Sequence, residues 1–140
     1  MIKFNRLPEN ILELLPGAAR YLENHPKAVF AYLFGGLARG IPLPLSDVDF
    51  AVYLTDNLYL KEDKLDVLGN LMNILQTDEI DLVILNTAAL PLIVNILKNK
   101  RILVDKDPFA RHIFESLSMR KYFDFSIKES ELLKRRYLHG

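Results

Sequence analysis

The order of apolar runs and helical repeats along this chain predicts alternating strands and helices. Continuous apolar runs indicate strands at residues 29–34, Val48–Leu54, 81–85 and 101–104. Apolar residues recurring every three or four positions predict helices over about 60–76, over Leu90–Asn99 and, less regularly, over most of Pro108–Leu138. Strands that alternate with helices in this way are typical of an α/β domain.

The segments outside these elements are interpreted from their prolines and turn residues. The first 25 residues carry an apolar face at helical spacing, and the pattern predicts a break near Pro16. Thr87 is a plausible N-cap for the helix that begins near Leu90. Residues 41–45 contain two prolines, which predicts an extended loop reaching toward Asp47.

Composition places the chain among ordinary globular domains. Its 140 residues fit a single domain, 1–140, and half of them are hydrophobic. The net charge of zero gives no general attraction to nucleic acid or to anionic membranes. The absence of cysteine excludes disulfides and cysteine-ligated zinc and is neutral about compartment. With no apolar signal segment and no apolar run of membrane-spanning length, we expect a cytoplasmic protein that binds neither membrane nor nucleic acid directly.

The candidate chemistry lies between the first two predicted strands. Gly35 and Gly36 can let backbone N–H groups approach phosphate oxygens closely, because they lack a side chain. Asp47 and Asp49 are two positions apart at the start of a strand, so they point to one face while Val48 and the residue after Asp49 face a core. Two carboxylates facing together suit a divalent cation, although adjacent acids can also simply solvate a strand edge.

A third carboxylate precedes the next buried run. Asp81 opens the strand at residues 81–85, and we expect it to lie beside Asp47 and Asp49 on a neighbouring strand. Its simpler interpretation is again an acid at a sheet edge.

Three segments together resemble the minimal nucleotidyltransferases (MNT) of the DNA polymerase beta-like superfamily. They are FGGLARG at residues 34–40, SDVDFAV at 46–52 and IDLV at 80–83. The family carries a Gly-Ser pair, ten residues, an Asp-x-Asp pair and a later Asp on the next core strand. The ten-residue gap is matched here by residues 37–46, whereas Gly36 stands where the family has serine.

The resemblance implies a polymerase beta-like nucleotidyltransferase fold, a mixed sheet of about four strands flanked by helices. It assigns Asp47, Asp49 and Asp81 to Mg²⁺ coordination and catalysis, and Gly35 and Gly36 to the phosphates of a nucleoside triphosphate. Arg39 either pairs with a phosphate or forms a salt bridge with a neighbouring acid.

The resemblance also implies a function, since small family members are antitoxins of HEPN/MNT toxin–antitoxin pairs. The expected activity is transfer of AMP from ATP to a hydroxyl, that of a tyrosine on a partner HEPN ribonuclease toxin. Two alternatives stay open: neutralisation of such a partner by binding alone, favoured by Gly36, and transfer to a small molecule. Tyr122, Phe123 and Phe125, followed by a basic cluster, point to a partner surface on the last helix.

Overall fold

The computed structural model describes residues 8–38 and 47–138, which form four strands and five helices. In chain order these are α1 Ile11–Glu23, β1 Ala28–Phe34, α2 Gly35–Ala38, β2 Val48–Leu54, α3 Leu60–Leu75, β3 Ile80–Ile84, α4 Leu90–Asn99, β4 Arg101–Asp105 and α5 Pro108–Leu138. The strands and the three longer helices after β2 lie within one or two residues of the positions that the sequence predicts. The predicted loop at residues 41–45 lies outside the described residues.

Two local expectations are wrong. Helix α1 runs through Pro16 without a break, because this proline lies on the exposed side of the helix, where water can satisfy the carbonyl that loses its partner. Thr87 does not cap α4, whose N-cap residue is Ala89 and makes no side-chain cap bond. The N–H of Thr87 instead donates to the carbonyl of Ile84 in a turn.

The strands form one mixed sheet in the order β3-β2-β1-β4. Strand β1 pairs antiparallel with both β2 and β4, whereas β2 and β3 run parallel. The expected mixed sheet of about four strands flanked by helices is therefore present. The end of β1 and the beginnings of β2 and β3 therefore meet at one end of the sheet.

Each face of the sheet is covered by helices through its own apolar cluster. Helices α1 and α3 pack on one face, where Phe50, Leu82 and Leu71 belong to the larger cluster. Helix α4 and the first half of α5 cover the other face, through contacts to Phe30 and Tyr32. Alternation of side chains along a strand sends successive residues to these two clusters.

A network of charged groups fixes α5 to the second face, and the sequence pattern did not reveal it. The buried hydroxyl of Tyr32 donates a 2.6 Å hydrogen bond to Oε2 of Glu115. The same carboxylate accepts from Nζ of Lys100 at 3.2 Å and from a guanidinium nitrogen of Arg111 at 3.1 Å. Nε of Arg111 also lies 3.0 Å from Oδ2 of Asp105, at ion-pair distance but without hydrogen-bond alignment.

These contacts shift the ionisation of the groups they join. Burial alone would raise the pKa of Glu115, but hydrogen bonds from Tyr32, Lys100 and Arg111 outweigh it and hold that pKa below its usual value. The pKa of Tyr32 is raised, first by burial and then by its bond to the carboxylate. The network thus joins β1, β4 and the turn before it to the first half of α5.

The second half of α5 extends away from this anchor. From Met119 to Arg136 every side chain except that of Tyr122 is exposed, and Phe123 and Phe125 are 64% and 54% exposed. Packing against the sheet therefore does not account for these aromatic residues. Within the described residues, no helix is long and apolar enough to cross a membrane.

Candidate functional site

The carboxylates singled out by the sequence meet at the end of the sheet where β1 stops and β2 and β3 start. Asp49 is the register partner of Phe34 on β1 and of Asp81 on β3. Neighbouring strands lie about 4.8 Å apart, and residues in register point to the same side of a sheet. The fold therefore brings Asp49 and Asp81 side by side on one face.

Strand alternation orients Asp49 as the sequence predicts. Val48 and Phe50 are fully buried in the cluster under α1 and α3. Asp49, between them, is half-buried and belongs to the opposite face, and Asp47 precedes the strand by one residue and is also half-buried. Asp81 is exposed at the beginning of β3.

Gly35 lies directly against the Asp49 carboxylate. Its φ of +75° belongs to the left-handed region, which side-chain-bearing residues seldom adopt. A Cβ at this position would overlap Oδ2 of Asp49. Glycine is thus required twice, by the backbone turn from β1 into α2 and by the close approach of the carboxylate.

The remaining predicted site residues have different outcomes. Gly36 follows Gly35 as the second residue of α2 and is half-buried. Arg39, assigned to phosphate or to a salt bridge, lies outside the described residues. Its role stays a prediction.

The donor chemistry of the site fits Mg²⁺ held together with a nucleotide. Within residues 8–38 and 47–138, no three Asp, Glu, His or Cys side chains are arranged so that they alone could hold a metal ion. Mg²⁺ in phosphate-transfer sites typically takes only one or two protein carboxylates and fills its octahedron with phosphate oxygens and water. Asp49 and Asp81, neighbours on one face, supply such a pair, with Asp47 two positions away.

One feature beside the site was not identified from the sequence. A groove of about 630 Å³ follows β3 from Asp81 to Ile84, with Lys61 and Lys64 on its α3 side. The available signal was weak, because two lysines three positions apart on a helix resemble any solvated helix face.

Comparison with known proteins confirms the expected fold class. Residues 18–109 match the sequence profile of the family described as Polymerase beta, Nucleotidyltransferase. A search of curated protein sequences returns no match.

Several solved structures with the same fold come from toxin–antitoxin complexes. A complex crystallised with AMP-PNP contains a chain that matches with a TM-score of 0.70 and 22% identity, over 85% of this chain and 95% of that chain. A complex of a tri-AMPylated Shewanella oneidensis HEPN toxin with an MNT antitoxin matches with a TM-score of 0.66 and 21% sequence identity. The match covers 87% of this chain and 95% of that chain. A mutant of the toxin–antitoxin complex MntA-HpeT matches with a TM-score of 0.65 and 26% sequence identity, over 91% of this chain and 96% of that chain.

Proposed function

Because the chain belongs to the polymerase beta nucleotidyltransferase family, we propose that it transfers AMP from ATP, with Mg²⁺, to the hydroxyl of a tyrosine on a HEPN-type ribonuclease toxin. The protein would thereby act as the antitoxin of that partner in the cytoplasm, where ATP is abundant. The observation that carries the proposal is the pairing of Asp49 with Asp81 across β2 and β3, next to the glycine turn at Gly35.

The chemistry asked of the site is a displacement at the α-phosphorus of ATP. The acceptor oxygen forms a bond to the α-phosphorus. The bond between the α-phosphorus and the oxygen that bridges it to the β-phosphate breaks, and pyrophosphate leaves. When bound, Mg²⁺ neutralises charge that develops on the phosphate oxygens. Asp47, Asp49 and Asp81 would hold it, and Asp81, which is exposed near the beginning of β3, would take the proton of the acceptor hydroxyl.

The glycine turn would position the nucleotide. Gly35 and Gly36 offer backbone N–H groups without side chains, so that phosphate oxygens can approach closely. Because a side chain at Gly35 would overlap Asp49, glycine at this position would allow the carboxylate and the proposed phosphate site to lie next to each other. Arg39 is proposed as a further contact to phosphate.

A protein acceptor is supported by the second half of α5 and by the known complexes. Exposed Phe123 and Phe125 offer an apolar surface that the chain itself does not cover within its described residues. One fold neighbour is an MNT antitoxin bound to an AMPylated HEPN toxin. We propose that α5 provides part of the contact with such a partner.

The test is transfer of radiolabelled AMP from ATP to a HEPN protein encoded beside this gene. Asp49→Asn and Asp81→Asn should each abolish labelling while the circular dichroism spectrum is unchanged. Asp78→Asn is the matched control, because Asp78 is an exposed acid just before β3. Full labelling by both site variants would overturn the assignment of the site.

Gly36 supports one alternative, a protein that neutralises the partner by binding alone. The family serine would donate a hydrogen bond to phosphate that Gly36 cannot provide from a side chain. Under this alternative the wild type forms a stable complex and blocks the ribonuclease without ATP. A requirement for ATP and for Asp49 in neutralisation would exclude it.

A further inference from the structure

Strand β3 leaves one edge of the sheet unpaired within the described residues. The N–H of Val48 donates to the carbonyl of Glu79, and the N–H of Leu85 donates to that of Val52. Backbone groups of successive residues alternate between the two edges of a strand, so the odd-numbered residues of β3 bond toward β2. Ile80 and Leu82 consequently direct both their N–H and C=O groups outward, and Ile84 directs its N–H outward, whereas the C=O of Ile84 accepts from the N–H of Thr87.

The outward edge forms the floor of the groove beside the candidate site. The groove measures about 630 Å³ and is lined by Asp81 to Ile84 of β3, by Lys61 and Lys64 of α3 and by Ala88 and Leu92 before and within α4. Asp81 is also the register partner of Asp49. A ligand in the groove would therefore end at the candidate site.

We propose that β3 and this groove bind the acceptor protein as an extended segment, which adds a strand to the sheet and places its hydroxyl beside Asp81. The inference rests on the proposed AMP transfer and identifies the form in which the acceptor is recognised. Outward N–H and C=O groups repeat every two residues, about 6.6 Å, and a polypeptide in extended conformation carries complementary groups at the same repeat.

Strand alternation translates the groove into a side-chain pattern for the acceptor. Asp81 and Val83 face the α4 side, whereas Leu82 and Ile84 belong to the cluster under α3. In a paired segment, the residue that carries the hydroxyl and the residue two positions away from it both face the α4 side. The second of these residues is apolar, because it lies against Ala88 and Leu92. The alternate residues of the segment, one between these two and one after them, face Lys61 or Lys64 on the α3 side and are therefore acidic.

Peptides with this pattern provide the probe, and binding is measured without ATP or Mg²⁺. The first is acetyl-Ala-Tyr-Glu-Leu-Glu-Val-amide, together with its reversed sequence, because the strand could pair in either direction. The control peptide is N-methylated at leucine and at the glutamate after it. Because successive N–H groups of a strand point to opposite edges, one of the two methyl groups blocks pairing with β3 in either register. Hydrogen exchange of individual amides is followed by NMR.

The expected result is slower exchange of the outward amides of Leu82 and Ile84 with the unmethylated peptide of one direction, and binding at least about tenfold weaker for its N-methylated form. Lys61→Glu with Lys64→Glu should weaken binding about tenfold, whereas Lys98→Glu, on the far end of α4, changes it less than about twofold. Equal binding of both forms, absence of binding in either direction, or unchanged exchange along β3 would overturn the proposal.

Two other occupants of the edge would be recognised in the same experiment, and each overturns the proposal. A second copy of the chain would protect the β3 amides without peptide, in proportion to protein concentration. ATP would protect them and displace the peptide. Adding Mg²⁺-ATP afterwards separates this inference from the proposed AMP transfer. Edge pairing without labelling of either the peptide or a HEPN partner contradicts AMP transfer. Labelling of the HEPN partner without edge pairing contradicts only this inference.

Discussion

Asp49 and Asp81 are register partners across the parallel pair of β2 and β3, next to the turn at Gly35. Two like charges this close repel one another, so a cation between them should stabilise the fold. We expect Mg²⁺ with ATP to raise the melting temperature of the wild type, and Mg²⁺ alone to raise it less, because phosphate oxygens complete the coordination. Differential scanning fluorimetry checks this.

The double substitution Asp47→Asn with Asp49→Asn provides the control for that measurement. The response of this variant to Mg²⁺ and ATP, measured against its own melting temperature without metal, should disappear. An equal response in wild type and double variant would contradict a metal site at these carboxylates.

Gly35→Ala should destabilise the protein, because the residue has φ of +75° and its new Cβ would overlap the Asp49 carboxylate. We expect a loss of about 1–3 kcal/mol in the free energy of unfolding, measured with urea. Gly69→Ala is the matched control, since nothing lies within 4 Å of a Cβ there. In the middle of α3 it should stabilise by about 0.5–1 kcal/mol.

Gly36→Ser tests whether the site is a weakened enzyme. A serine hydroxyl donating to a charged phosphate contributes about 1.5–3 kcal/mol, which corresponds to roughly ten- to a hundredfold in ATP affinity or transfer rate. We therefore expect the wild type to transfer AMP slowly and the variant to be faster. If neither protein binds ATP in calorimetry, the chain is a binding protein that has lost the chemistry.

Glu115→Gln should reveal how much the charged network stabilises α5. The pKa of Glu115 is lower in the folded protein than its usual value of 4.5, so its stabilising effect is fully present above that pH and is lost as the pH falls through the lowered pKa. At pH 7 the variant should lose about 1.5–3 kcal/mol of unfolding free energy.

The pH dependence of that loss is the decisive part. The difference between wild type and Glu115→Gln should shrink below pH 4.5, whereas the exposed control Glu129→Gln shows little difference at any pH. Tyr32→Phe should move the transition to higher pH, because one of the hydrogen bonds that lower the carboxylate pKa is removed. A pH-independent difference would show that Glu115 acts through packing alone.

Phe123→Ser with Phe125→Ser should separate partner binding from stability. Both side chains are more than half exposed, so the free energy of unfolding should change by less than about 0.5 kcal/mol. If α5 contacts the partner, affinity should fall by about 2 kcal/mol or more, as calorimetry with the HEPN protein would show. Leu58→Ser, 78% exposed in the turn before α3, is the control and should bind normally.

The local pattern was sufficient for the elements and for the orientation of the first carboxylates. Burial of Val48 and Phe50 follows from strand alternation, and this alternation alone places Asp49 on the opposite face. The same pattern located β3 and the position of Asp81 near its beginning. Pro16 and Thr87 were misjudged, because exposure on the finished surface decides whether a proline is tolerated in a helix and tertiary packing decides where a helix starts.

The resemblance to the nucleotidyltransferases, rather than the pattern, supplied the mixed sheet and the expected roles. Spacing cannot show that β3 joins β2 in parallel, so the pairing of Asp49 with Asp81 depended on the assembled fold. The close approach of Gly35 to that carboxylate likewise exists only after β1, α2 and β2 have packed.

The sequence by itself determined properties of neighbouring positions. These are the residues that form strands, the apolar face of each strand, and the acidic residues at the beginning of a strand. What only the tertiary structure decided are relationships between segments far apart in the chain. The bond from Tyr32 to Glu115 and the open edge of β3 both belong to this class. The physical reason is that hydrophobic periodicity records burial but not the partner against which a residue is buried.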